Sequence, residues 1–150
     1  MSLKVAIDAD LKEALLGGAK EKATVLRGLK AAILDVEVAT STREVGLPDA
    51  EIEKLIAKEV KKRRESIALY ESNSRPELAA TEKAEITILE VYLPAQLTEE
   101  EVSALIDQAI TSTGATTAKD MGRVIGAVKS QTGNSADGAL IARLVKQKLS

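Results

Sequence analysis

Apolar residues recur at three- and four-residue intervals along nearly the whole chain, the spacing of an amphipathic helix. Leu3, Ile7, Leu11, Ala14 and Leu15 define a first short helix that Gly17-Gly18 terminates. A second helix, about 19–40, is carried by Val25, Leu26, Leu29, Ile33 and Val36. Gly46 breaks the pattern. Pro48, followed by Asp49 and Glu51, then has the chemistry of a helix first turn, because proline sacrifices no needed N–H there and acids complement the dipole. A long, charged third helix runs from there to about Ser72, and Asn73-Ser74-Arg75-Pro76 closes it. A fourth, about 77–93, follows Leu78, Ile86, Leu89 and Leu93.

Pro94 disfavours helix at the residue before it, and Thr98 to Glu101 has the spacing of a capping box. The reading is therefore two units, 1–94 and 95–150. The first is an N-terminal long helical hairpin, a pair of long helices with a short one at each end. The second is a small C-terminal three-helix module punctuated by Gly114 and Gly133, with Thr117 and Ser135 placed to cap its last two helices. The expected fold class is all-α, with seven helices, no strands and a hinge near Pro94 to Thr98.

Composition narrows the chemistry. A chain of 150 residues buries roughly 68–70% of its unfolded surface if compact. With Tyr70 and Tyr92 as its only aromatics, that core must come from Leu, Ile, Val and Ala. There is no His and no Cys, which removes the commonest general base, thiol nucleophiles, disulfides and the usual zinc ligands. The sequence contains no phosphate loop, dinucleotide glycine fingerprint or nucleophile elbow; Gly17-Gly18-Ala19-Lys20 lacks both the following hydroxyl residue and a preceding strand. Apolar runs fall far short of the ~20 residues a membrane span requires, so a soluble, cytoplasmic protein without cofactor or metal is expected.

Charge is nearly balanced overall, 21 Lys and Arg against 23 Asp and Glu, but from Thr113 to Ser150 there are six basic residues and only Asp120 and Asp137 as acids. Lys119, Arg123, Lys129, Arg143 and Lys146 in that stretch are the candidate phosphate contacts. Gly122 and Gly126 share one helical face at a cost of roughly 1 kcal/mol each relative to Ala, so either a packed helix or an external ligand must come close there. Gly133-Asn134-Ser135 precedes a helix N-terminus and is a candidate anion site, or simply a stop followed by a cap. In the third helix, Lys54, Lys58, Lys61 and Lys62 form either a phosphate-facing stripe or a solvated face, and Arg63 lies in the apolar stripe within reach of Glu59. Too few aromatics exist for base-stacking platforms, which leaves a folded RNA read through its shape and phosphates as the nucleic-acid option.

The strings ILEVYLPAQLTEEE, DMGRVIGAVK, NSADGALIARLVKQKL and, in the third helix, KKRRESIALY resemble the YqeY-like proteins. Members of that family share their C-terminal module with the tail of the B subunit (GatB) of the glutamine-dependent aspartyl/glutamyl-tRNA amidotransferase. The resemblance covers essentially the whole chain, and the tie to the amidotransferase covers its last ~55 residues. It implies an all-helical protein whose tail relative contacts the body of tRNA, and an association with carbon–nitrogen ligase activity that takes its amide from glutamine. The activation and amidase centres of that enzyme lie in parts this chain does not contain. The expectation is a non-catalytic tRNA-binding or accessory protein, with folded tRNA and tRNA-charging or amidotransferase proteins as partners. A catalytic component of amide transfer and a helical protein-binding adaptor are the alternatives.

Overall fold

The computed structural model describes residues 2–150, and every regular element among them is helical. Seven α-helices succeed one another: α1 (Leu3–Leu16), α2 (Lys20–Ala39), α3 (Asp49–Ser72), α4 (Pro76–Glu90), α5 (Glu99–Thr113), α6 (Met121–Thr132) and α7 (Gly138–Leu149). Short 3-10 turns at Ala118–Asp120 and Gly133–Ser135 precede α6 and α7. The chain divides into two compact units, 1–93 and 94–150.

In the first unit, the two longest helices, α2 and α3, are not each other's main partners, which corrects the expected hairpin. The chief pairings are α1 with α2 and α3 with α4. Chain connectivity is the reason. Residues 17–19 and 73–75 are tight turns that return each helix along its predecessor, whereas the longer 40–48 segment lets α3 leave α2. Cross-helix ion pairs fix both antiparallel registers: Lys4–Glu37 and Asp8–Lys30 in one pair, Arg63–Glu85, Arg64–Glu90 and Glu71–Lys83 in the other.

The core of this unit is aliphatic, with Ile7, Leu26, Ile52, Ile56 and Leu89 almost wholly buried. Leu15 and Leu78, read from spacing as core residues, are instead substantially exposed, and Ala79 is buried on α4 in their stead. Helix α4 also ends at Glu90, three residues before its expected limit, and residues 91–93 form a turn ahead of Pro94. Tyr92 is buried and donates its hydroxyl to Asp10, tying the end of this unit to its first helix. Burial, followed by the Asp10 carboxylate, pushes the phenol pKa far up.

The second unit closes on its own aliphatic core of Val102, Ile106, Val124, Val128, Ile141 and Val145. Thr98 caps α5 by accepting from the Glu101 N–H at 3.1 Å, and Gly114 ends the helix at φ 69°, the left-handed conformation that glycine adopts without a Cβ clash.

Candidate nucleic-acid interface

Helix α6 is launched by a compact turn. Thr117 and Asp120 form a capping box, and the Asp120 carboxylate accepts from the N–H groups of Thr116 (3.0 Å) and Thr117 (3.3 Å) and from Arg123 (2.9 Å). Those backbone hydrogen bonds, aided by Arg123, hold the Asp120 carboxyl below its ordinary pKa. The side chain that most nearly offsets the local basic charge is therefore ionised and fixed at the start of the helix.

Val124, Val128 and Thr132 turn inward from α6. At roughly 100° per residue, the opposite arc carries Gly122, Arg123, Gly126, Lys129 and Ser130, and all five are exposed. A Cβ built on Gly122 or Gly126 would meet nothing within 4 Å. Packing inside the module therefore does not explain the two glycines. They form a bare strip of backbone facing outward, with Arg123 on one side and Lys129 on the other.

The sequence-predicted basic residues separate into two groups. Lys119, Arg123 and Lys129 lie on the turn before α6 and on its outer face, while Arg143 and Lys146 lie on the exposed side of α7. Arg143 is 3.4 Å from Glu99 on α5, and Lys148 is 2.8 Å from Asp107. Both cations are thus directed toward the acidic surface of α5, where Glu99, Glu100, Ser103, Ala104 and Asp107 line a shallow groove with Leu144. Arg123 shares its charge with Asp120. Lys119, Lys129 and Lys146 make no ion pair among the described residues. The aliphatic stem of Lys129 runs beside Gly138, where a Cβ would lie 3.3 Å from its Cε, a close approach that a small shift of this flexible lysine would relieve.

The Gly133-Asn134-Ser135 turn is occupied differently from the expectation. Its carbonyls face inward to the chain: Ser135 accepts from the Leu97 N–H at 2.8 Å and Asn134 from the Gln96 amide at 3.0 Å. Asp137, rather than Ser135, caps α7, accepting from the Ala139 N–H at 3.2 Å. A carboxylate at that N-cap supplies the negative charge that the helix end favours, so an external anion would meet a like charge.

In α3, Lys54 and Lys62 pair with Glu51 and Glu59 three residues earlier, and Lys54, Lys58, Lys61 and Lys62 are all exposed. Arg63 is held between Glu59 at 3.1 Å and Glu85 of α4 at 2.9 Å. Burial works against its charge, but the hydrogen bonds it donates to Glu85 and Glu59 outweigh it and raise the pKa further. The arginine thus fastens α3 to α4. Sequence spacing indicated Glu59 but carried no signal for Glu85.

Among the described residues no group of three or more acidic side chains is placed to hold a metal ion, and no helix is long and apolar enough to cross a membrane. Residues 4–149 match the family described as Yqey-like protein. A curated relative from Kluyveromyces lactis, "Altered inheritance of mitochondria protein 41, mitochondrial", is 32% identical over 108 residues, which cover 71% of this chain and 57% of the relative. The chain thus spans little more than half the length of that protein.

Proposed function

The chain belongs to the YqeY-like family, and from that membership we propose that it is a non-catalytic accessory protein of tRNA-dependent amide transfer whose C-terminal unit binds folded tRNA through the outer face of α6. The observation that carries this reading is the exposed Gly122–Gly126 strip flanked by Arg123 and Lys129. Two helix-interior glycines that no internal contact requires are a net cost to the helix. An external backbone approaching closely would account for them. A phosphodiester chain suits the flanking cations, and the absence of any aromatic residue after Tyr92 favours a duplex-like, phosphate-read RNA over an unstacked single strand.

The resemblance of the last third of the chain to the amidotransferase tail supports the same direction. Among the candidate contacts, Lys119, Lys129 and Lys146 are the stronger set, since Arg123 shares its charge with Asp120 and Arg143 with Glu99. The reading places the protein in the cytoplasm, while the "mitochondrial" in the relative's name belongs to that relative. Titrating labelled tRNA with the protein at a series of salt concentrations tests the assignment. Salt-sensitive binding that Lys119→Glu and Lys129→Glu abolish supports it, and no binding at ~50 mM salt favours a protein-binding adaptor instead.

A further inference from the structure

We propose that α2 carries a self-association surface, and that two copies of the chain pair through it as parallel helices. The outward stripe of α2 is Arg27, Ala31, Leu34 and Val38, spaced alternately by four and three residues, and all four are exposed. Leu34 is 41% exposed and Val38 60%, on a helix whose opposite face buries Leu26, Leu29 and Ile33. The apolar surface does not stop at the stripe. From Ala31 and Leu34 it continues into a groove against α1 whose floor includes Ile7. Nothing among the described residues covers it.

The occupant is indicated by the heptad positions. In coiled-coil phase the stripe places Ala31 and Val38 at a and Leu34 at d, and a β-branched a residue with Leu at d favours a parallel two-stranded pair. The same phase puts Lys30 at g and Asp35 at the following e. In a parallel dimer, g of one helix faces the next e of the other, so Lys30 meets the partner's Asp35 twice about the twofold axis. An antiparallel pair would instead oppose g with g and e with e, setting lysine near lysine and aspartate near aspartate. Asp35 makes no ion pair within the described residues, and Lys30 holds only the exposed Asp8 at 2.8 Å. Charge complementarity therefore selects a second copy of this chain in the parallel orientation. The Arg27 pair at the neighbouring d position splays toward water on its aliphatic stems and limits the seam to the C-terminal half of α2.

A seam this short gives a weak, reversible dimer, so the measurement is sedimentation equilibrium of the full chain from ~10 µM to ~1 mM, the range in which weak association is read directly. The wild type is expected to shift from monomer to dimer. Leu34→Glu should weaken dimerisation roughly a hundredfold by removing apolar burial twice and opposing two carboxylates. Asp35→Lys should weaken it roughly tenfold, and adding Lys30→Glu in the same chain should restore it, because the swapped charges again meet as opposites. Circular dichroism verifies that each variant remains folded, as all three positions are exposed. The chain has no cysteine, so Val38→Cys provides an orientation test: oxidation should cross-link two parallel copies at this position. A wild type that stays monomeric throughout, a dimer indifferent to Leu34→Glu, or a charge swap that fails to restore association overturns the proposal.

Discussion

Lys4 donates to both carboxylate oxygens of Glu37, at 2.9 and 2.8 Å, although the glutamate is only 1% exposed. The same carboxylate accepts from the Leu47 N–H at 2.8 Å. One side chain of α2 therefore holds the start of α1 and the end of the 40–48 segment. The N–H of Leu3, which donates to Asp49 at 3.0 Å, ties α1 to the first turn of α3 as well. The buried Glu37 carboxylate tolerates its surroundings because the Lys4 ammonium and the Leu47 N–H both donate to it.

The hydrogen bond from Lys4, opposed by burial and assisted by Leu47, lowers the pKa of Glu37 from its ordinary value of 4.5. A carboxyl with a depressed folded-state pKa contributes stability that is fully present above the unfolded value and is lost as pH falls through the folded value. Unfolding by urea, followed by circular dichroism between about pH 7 and pH 3, should therefore show stability falling below about pH 4.5. In Lys4→Met the glutamate loses the cation that depresses its pKa, so the variant should be less stable at neutral pH and should lose less stability on acidification than the wild type. An identical pH profile in the variant would exclude this pair as the source.

The hydroxyl of Thr132 is buried in the second unit and has no hydrogen-bond partner among the described residues. Thr132→Val keeps the branched shape and removes the unsatisfied group, so it should stabilise the protein by about 1 kcal/mol. Chemical denaturation monitored on the two proteins side by side measures it. A destabilised valine variant would mean that the hydroxyl has a partner in solution.

Gly122 and Gly126 separate folding from binding. Because a Cβ at either position meets nothing and both lie inside α6, Gly→Ala should raise stability by about 0.5–1 kcal/mol at each site. The larger Gly126→Leu should also fold. If the strip receives an RNA backbone, however, tRNA affinity should fall for leucine and less for alanine. Leucine and wild type binding equally would remove the α6 face from the interface.

Electrostatic binding by three to five phosphate contacts gives a log affinity against log salt slope of roughly 3 to 5. Lys119→Ala with Lys129→Ala should reduce that slope by about 2, and Arg143→Ala by clearly less than 1, since its charge is already shared with Glu99. Lys58→Ala with Lys61→Ala in α3 serves as the control, with no change in slope. Filter binding across a salt series provides all four numbers. A slope that follows the α3 pair instead would move the interface to the other unit.

Local information determined the helices. Side chains three and four residues apart share a face, and caps act within one turn, so the apolar spacing of α2, the Thr98 capping box and the Gly114 stop could all be read along the chain. The all-α class followed from these. Composition excluded thiol and imidazole chemistry without any coordinates, and the order of basic residues marked the last third of the chain as the candidate contact region. What tertiary structure decided was partnership. Arg63 meets Glu85 across 22 positions, Lys4 meets Glu37 across 33 and Tyr92 meets Asp10 across 82, and no periodicity specifies contacts at such separations. The same holds for which helices pair, where tight turns favoured α1 with α2 and α3 with α4 over the two longest helices. It holds again for Gly122 and Gly126. Their spacing placed them on one face, but whether that face looked into the module or out to solvent depended on where α5 and α7 closed the core, and they closed it on the valine side.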